Sequence, residues 1–157
     1  MCLRRPADRD GSEEGRRVRI LLVEDSLAIR RANESALQKA GYEVICAEDG
    51  ECALQLARDG KPDLILLDMI LPKMSGPDVL HHLKSEPGTA TIPVVVLSSL
   101  TEKNRNKLIE AGAEEYIEKN TLMPVPGMNL LPKMLENIIC RINRRRGIAF
   151  SDVPIQK

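Results

Sequence analysis

Carboxylate, hydroxyl and ammonium side chains follow the apolar segments of this sequence. Glu24 and Asp25 follow the first such segment, Asp68 ends the third, and Ser98 and Lys119 follow the fourth and fifth. Three crowded carboxylates repel one another, and a hard divalent cation such as Mg²⁺ relieves that repulsion. A carboxylate can also attack phosphorus to give an aspartyl phosphate. The ammonium and the hydroxyl would then neutralise and hydrogen-bond the phosphoryl oxygens.

These polar side chains would lie close together if the apolar segments are strands of one parallel sheet. Short runs rich in Val, Ile and Leu predict five strands, over residues 18–23, 42–47, 63–68, 93–97 and 116–117. Segments with helical periodicity separate them, and Gly41, Gly60 and Gly112 mark the ends of three helices. The alternation predicts an α/β fold, a five-stranded doubly wound parallel sheet with helices on both faces. Such sheets bind ligands at the carboxyl ends of their strands, where the polar side chains fall.

The first and last helices carry the clearest patterns. Ser26 can cap the first helix, in which apolar residues recur at helical spacing, namely Ile29, Ala32, Ala36, Leu37 and Ala40. The last helix has one apolar stripe, formed by Leu131, Leu135, Ile138 and Ile142. Pro132 fits this helix only in its first turn, where an amide donor is not needed. We therefore expect both helices to pack an apolar face against the sheet.

Length and composition limit the class of protein. The 157 residues amount to about one domain. We expect a disordered leader over residues 1–17, a folded domain over 18–145 and a flexible basic tail over 146–157. Aromatic residues make up 2% and Trp is absent, which argues against nucleic-acid binding by base stacking. No run approaches the roughly 18 apolar residues of a membrane span, and no signal peptide is visible.

Charge and cysteine content add two further expectations. The net charge is zero, with an acidic body over residues 20–140 between two basic ends. This distribution is unlike a nucleic-acid footprint, so we expect no direct DNA binding. The cysteines have neither zinc-site spacing nor a CxxC pair, and they lie at Cys2, Cys46, Cys52 and Cys140. We therefore expect reduced thiols in a cytoplasmic protein.

Four motifs, in their order and spacing, resemble the receiver domain of bacterial two-component response regulators. They are ILLVEDS at 20–26, LILLDM at 64–69, IPVVVLSS at 92–99 and YIEK at 116–119. The resemblance extends over residues 18–145 and implies a chemotaxis-regulator-like fold with the flavodoxin-like strand order 2-1-3-4-5. The residues after 145 are too few for an output domain, so we expect a stand-alone receiver.

The resemblance assigns the phospho-acceptor and the metal ligands. Asp68 matches the residue that accepts the phosphoryl group. Glu24 and Asp25 match the acidic pair that binds Mg²⁺, with Asp25 as a direct ligand and Glu24 acting through water. Asp68 and the backbone carbonyl of Ile70 match the other protein ligands of the ion. Mg²⁺ is therefore the expected cofactor.

The resemblance also assigns a catalytic lysine and a conformational switch. Lys119 matches the lysine that contacts the phosphoryl group, and Ser98 matches the hydroxyl that moves toward it. Tyr116 matches the aromatic side chain that turns inward when the hydroxyl moves. The family's output face is its last helix-strand-helix unit, here about residues 101–145.

The implied partners are proteins. In this family the phosphoryl donor is a phosphohistidine on a sensor histidine kinase, or a small acyl phosphate. The phosphorylated receiver then signals to a downstream protein partner, or by self-association, through residues 101–145. Such a protein catalyses only its own phosphotransfer and its own slow dephosphorylation, and is otherwise not an enzyme.

Three positions depart from the family pattern or vary within it. Asn120 replaces the usual proline after the lysine, and we predict a trans Lys119–Asn120 bond because a cis bond without proline costs roughly 2.5–4 kcal/mol. In its non-proline residue after the lysine and its long segment before the last helix, this chain resembles stand-alone receivers that partner phytochrome-type kinases. Ile70 and Leu100 are apolar and cannot orient an attacking water, so we expect slow self-dephosphorylation.

Two other chemistries fit the sequence less well. A phosphohydrolase of the haloacid dehalogenase type needs a second acid two residues after its nucleophile, where this chain has Ile70, and usually a cap domain. A flavodoxin-like electron carrier needs a phosphate-binding loop after strand one, where Glu24 and Asp25 would repel a phosphate. A third alternative is a receiver-like docking module that takes no phosphoryl group, although every chemical position of the family is filled.

Overall fold

The computed structural model describes residues 17–99 and 105–147. The strands are β1 Arg19–Val23, β2 Glu43–Ala47, β3 Leu64–Asp68, β4 Val94–Ser98 and β5 Glu115–Glu118. The helices are α1 Leu27–Lys39, α2 Gly50–Gly60, α3 Gly76–Ser85, α4 Arg105–Glu110 and α5 Leu131–Arg146. A short 3-10 turn over Lys119–Thr121 follows β5. Strands and helices alternate as predicted, whereas most of the predicted leader and basic tail lies outside the described residues.

The five strands form one parallel sheet in the order β2-β1-β3-β4-β5, which confirms the predicted flavodoxin-like topology. The order reverses between β1 and β3, the kind of position where α/β sheets bind ligands. Val23 of β1 pairs with Leu67 of β3, and Asp68 pairs with Leu97 of β4. The carboxyl ends of these three strands therefore lie side by side.

Helices cover both faces of the sheet, as predicted. Helices α2, α3 and α4 pack on one face, and α1 and α5 pack on the other. Every residue of β1, β3 and β4 is buried, which explains their uninterrupted apolar sequences. Among the described residues, no helix combines the length and the apolar character that crossing a membrane requires.

Side-chain caps start three helices just beyond the carboxyl ends of their strands. Ser26, as predicted, accepts from the amide of Ile29 at the start of α1. Asp49 caps α2 and Ser75 caps α3 in the same way. A cap satisfies an amide that the first turn leaves unpaired, and so fixes where the helix begins. The caps therefore define the loops that surround the acidic residues.

The buried face of α1 differs from the predicted apolar face. Ile29 is 38% exposed and Ala32 is exposed as well, whereas the polar Asn33 is 1% exposed. Asn33 tolerates burial because its side-chain oxygen accepts a hydrogen bond from the side-chain Nδ2 of Asn129, at 2.9 Å. The apolar part of the buried face is formed by Leu37 and Ala40, as expected. The predicted stripe of α5 is confirmed, with Pro132 in the first turn.

A fully buried arginine joins several elements at the amino ends of the strands. The Arg19 side chain is 1% exposed, and its Nε donates to Glu43 Oε2 at 2.6 Å. Its Nη1 donates to the carbonyl of Gly60, where α2 ends, at 2.8 Å. Its backbone amide donates to Asp63 before β3, also at 2.8 Å. Arg19 therefore ties β1, β2, the end of α2 and the start of β3 together.

Replacing Arg19 with methionine should destabilise the protein. Breaking a buried ion pair costs roughly 3–5 kcal/mol. Because the Glu43 side chain is partly exposed and water can reach it, we expect the free energy of unfolding to fall by about 2 kcal/mol. The free energy of unfolding in urea measures the loss, with Arg17→Met at the exposed neighbouring position as the matched control. Equal losses in the two variants would show that Arg19 contributes no more than an exposed arginine.

Candidate functional site

Three carboxylates meet at the carboxyl edge of the sheet. Glu24 and Asp25 follow β1, and Asp68 is the last residue of the adjacent strand β3. One oxygen of each lies within 4.8 Å of the others. Glu24 and Asp68 are buried, whereas Asp25 is exposed. The cluster therefore opens to solvent on the side of Asp25.

Lys119 reaches two of these carboxylates from the end of β5. Its Nζ donates to Glu24 Oε1 and to Asp68 Oδ2, both at 2.8 Å. Burial lowers the pKa of Lys119, but the hydrogen bonds to Asp68 and Glu24 outweigh burial, so this pKa lies above its usual value. The lysine is therefore a fully charged bridge between the two strands' carboxylates.

One ammonium does not balance the site. Burial raises the pKa of Glu24, the hydrogen bond from Lys119 lowers it in part, and the charge of Asp68 raises it again. The net effect is a raised pKa, which means that the folded protein destabilises the ionised form of Glu24 relative to its protonated form. Hard oxygen donors around an open, hydrated position suit Mg²⁺, which keeps several waters when bound. The residues present therefore fit that ion.

Backbone groups fix the orientation of the two buried carboxylates. The amide of Ile70 donates to Asp68 Oδ1 at 3.2 Å, and the amide of Ser26 donates to Glu24 Oε2 at 3.2 Å. Arg30, on α1, donates from Nη1 to the backbone carbonyl of Glu24 at 2.8 Å. Arg30 is not among the predicted site residues, because an arginine six residues after a carboxylate belongs to no recognisable motif.

The two predicted switch residues lie on neighbouring strands, β4 and β5. Ser98 is the last residue of β4 and is fully buried, one position beyond the partner of Asp68. Tyr116 lies on β5, only 9% exposed, in the apolar cluster that includes Leu108 of α4. The tyrosine is therefore turned inward in this structure.

The two predicted apolar flanking positions have different outcomes. The side chain of Ile70 is 58% exposed beside Asp68, so an apolar group faces the solvent at the mouth of the site. Leu100 lies outside the described residues. The position next to the phospho-acceptor candidate Asp68 is therefore apolar on its exposed side at Ile70.

The segment after Lys119 forms a closed loop. No peptide bond among the described residues is cis, so the predicted trans bond before Asn120 is confirmed. The amide of Leu130 donates to the carbonyl of Leu122 at 2.7 Å and closes the loop at its base. Its outer side exposes apolar side chains, namely Met123, Val125 and Met128.

Comparison with known proteins identifies the family. The family model described as "Response regulator receiver domain" matches residues 20–124. A gliding motility regulatory protein of Myxococcus xanthus is 40% identical over 125 residues, which cover 78% of this chain and 15% of that protein. The phosphate regulon transcriptional regulatory protein PhoB of Pseudomonas aeruginosa is 36% identical over 138 residues, covering 87% and 56%. The chain thus spans about half the length of one of these curated relatives and a much smaller part of the other.

Solved structures agree with the family and the fold. Chemotaxis protein CheY4 of Vibrio cholerae is 27% identical with a TM-score of 0.67, over 81% of this chain and 99% of that one. The receiver domain of the sensor histidine kinase PA1611 of Pseudomonas aeruginosa is 25% identical with a TM-score of 0.66, over 80% and 97%. Family match, fold and acidic edge agree: this chain belongs to the response regulator receiver domain family.

Proposed function

We propose that the protein accepts a phosphoryl group on Asp68 from the phosphohistidine of a sensor histidine kinase. One observation carries the proposal: a single lysine bridges Asp68 and Glu24 inside a cluster of three carboxylates at the carboxyl edge of the sheet. This arrangement offers a carboxylate nucleophile, a cation beside it and an opening for a second cation. Receiver domains of this family are phosphorylated by histidine kinases, and their acidic pocket binds Mg²⁺.

We propose that Asp25 and Asp68 bind Mg²⁺ directly, with Glu24 acting through water and the backbone carbonyl of Ile70 as a further ligand. The structure of the PA1611 receiver, similar to this chain, is described as having a magnesium ion coordinated in its active site cleft. When bound, Mg²⁺ neutralises charge on the phosphoryl oxygens. The exposed carboxylate of Asp25 leaves this side of the cluster accessible to solvent and to a phosphoryl donor.

The phosphotransfer step uses groups that the structure already orients. An oxygen of the Asp68 carboxylate attacks phosphorus, a C–O–P linkage forms, the P–N bond of phosphohistidine breaks, and the imidazole leaves with the electron pair. The amide of Ile70 and the ammonium of Lys119 hold the two carboxylate oxygens beforehand. Lys119 then neutralises a phosphoryl oxygen as the negative charge moves there.

We expect the signal to pass from the phosphoryl group on Asp68 to the face over residues 101–145. In the proposed series of events the Ser98 hydroxyl hydrogen-bonds a phosphoryl oxygen, and this contact stabilises the inward position that Tyr116 already has in this structure. The face over residues 101–145 then binds a downstream protein or a second copy of the chain. Because histidine kinases draw on cytoplasmic ATP, we place this activity in the cytoplasm, with no catalysis beyond the protein's own phosphotransfer and dephosphorylation.

Intact mass after incubation with acetyl phosphate and Mg²⁺ tests the proposal. We expect the wild type to gain one phosphoryl group, and the gain to disappear in Asp68→Asn and in excess chelator. A phosphohistidine donor should give the same product faster, because the small acyl phosphate lacks the kinase's docking surface. No gain from either donor would favour a receiver-like docking module that takes no phosphoryl group.

The phosphoryl group should be lost slowly once it is attached. The exposed apolar side chain of Ile70 offers an incoming water no hydrogen bond. General base or water-orienting groups contribute typically 10²–10⁴-fold to such hydrolysis, so we expect a lifetime of minutes or longer. The decay of the phosphorylated mass after removal of the donor gives the lifetime, and decay within seconds would contradict this expectation.

A further inference from the structure

The segment that carries two of the three carboxylates is held mainly by its backbone. Residues 24–26 join β1 to α1 and belong to no strand or helix. The amide of Glu24 donates to the carbonyl of Ala47 at 3.0 Å, which extends the pairing with β2 by one residue. Within residues 17–99 and 105–147, no side-chain hydrogen bond holds the carboxylate of Asp25. The direction of Asp25 therefore depends on the peptide plane that precedes it.

Arg30 holds that peptide plane from the helix side. Its backbone amide donates to the carbonyl of Ser26 at 2.8 Å, which anchors the residue in the first turn of α1. Its Nη1 donates to the carbonyl of Glu24, also at 2.8 Å. The carbonyl of Glu24 lies in the same peptide plane as the amide nitrogen of Asp25. The Glu24 residue is thus fixed at its amide by β2 and at its carbonyl by Arg30.

We propose that Arg30 is a positioning residue for the divalent cation. It holds the Glu24–Asp25 peptide so that the exposed Asp25 carboxylate points toward Glu24 and Asp68. The inference rests on the proposed function, because it assumes that Mg²⁺ binds at these carboxylates. A hydrogen bond from a charged donor is worth more than one from a neutral donor, so this contact can fix the plane against thermal rotation.

The Mg²⁺ affinity of Arg30→Met measures this role directly. Losing a net contribution of about 1 kcal/mol corresponds to roughly a fivefold rise in the Mg²⁺ dissociation constant. Isothermal titration with Mg²⁺ gives the constant without any phosphoryl donor. The same contact is present without metal, so the thermal midpoint of the variant in chelator should fall only by about 2–4 °C, the cost of one hydrogen bond.

Phosphorylation by acetyl phosphate supplies a second readout. In Arg30→Met the Mg²⁺ concentration that gives half the maximal rate should rise by the same factor, whereas the rate at saturating Mg²⁺ should change little. Arg31→Met is the matched control, since Arg31 is the exposed neighbour on α1 and the charge change is identical. Arg30→Lys keeps a charged donor on a long side chain, and we expect it to restore most of the affinity.

The outcomes separate this inference from the proposed function. Wild-type affinity in Arg30→Met, or an equal loss in Arg31→Met, would overturn the positioning role and leave the proposed function intact. A large drop in the thermal midpoint in chelator would show that Arg30 is merely structural, and would also overturn the role. A wild type that neither binds Mg²⁺ nor takes up a phosphoryl group would overturn both proposals.

Discussion

Replacing Gly76 with alanine should destabilise the protein strongly and reduce phosphorylation of Asp68. A Cβ at Gly76 would lie 2.4 Å from Met69 Cα and 2.7 Å from the backbone oxygen of Asp68. These atoms belong to the backbone, so the clash cannot be relieved by rotating a side chain. The amide of Gly76 also donates to the carbonyl of Met69 at 3.0 Å, which holds the two segments together. The start of α3 therefore cannot move away without losing this bond.

The expected loss for Gly76→Ala is about 3 kcal/mol, at the upper end of the usual cost of overpacking. Urea unfolding measures the loss, and intact mass with acetyl phosphate measures the phosphorylation. Gly88→Ala is the matched control, because a Cβ there has nothing within 4 Å. We expect the control to match the wild type in both measurements, since glycine-to-alanine exchanges at unstrained positions are neutral or slightly stabilising. A stability loss without a phosphorylation defect would show that Asp68 keeps its orientation despite the shift.

The fold could be predicted from the sequence because its strands are buried on both faces. A strand such as Leu64–Asp68 must be apolar throughout until it reaches the edge of the sheet, where a polar residue first becomes acceptable. The end of each apolar run therefore marks the end of each strand. Since parallel strands end at one edge, these positions also located the acidic cluster and Lys119.

Other parts of the structure could not be predicted, because they depend on contacts between distant residues. The burial of Arg19 leaves no local signal in the sequence, because its partners Glu43 and Gly60 lie 24 and 41 residues away. The same holds for Asn33, whose partner Asn129 is 96 residues away. Periodicity favours an apolar residue at such positions, and only the three-dimensional pairing shows why a polar one is stable there.

Replacing Lys119 with methionine should destabilise the metal-free protein near neutral pH. The lysine carries the only ammonium that contacts Glu24 and Asp68 within the described residues, and its loss leaves two buried carboxylates facing each other. Removing one partner from a buried, hydrogen-bonded charge cluster costs roughly 3–5 kcal/mol, and we expect about 3 kcal/mol because Lys119 is partly exposed. Lys107→Met, on the exposed face of α4, is the matched control.

The deficit of Lys119→Met should depend on pH in a defined direction. The pKa of Glu24 already lies above its usual 4.5, mainly because of burial, and losing the hydrogen bond from Lys119 raises it further. A carboxyl with a raised folded-state pKa contributes its stability below its unfolded pKa and loses it as the pH rises through the folded value. Urea unfolding should therefore show a small deficit near pH 4.5 and a growing one toward pH 8.

Mg²⁺ should restore part of the lost stability in Lys119→Met. A divalent cation supplies the positive charge that the two carboxylates lack, and a ligand that binds only the folded state stabilises it by mass action. We therefore expect Mg²⁺ to raise the unfolding free energy more in this variant than in the wild type, where the ammonium competes for the same oxygens. Phosphorylation should still be impaired, because Lys119 is also needed to neutralise the phosphoryl group in transit. A deficit that is independent of both pH and Mg²⁺ would contradict the electrostatic origin and point to lost packing of the lysine side chain.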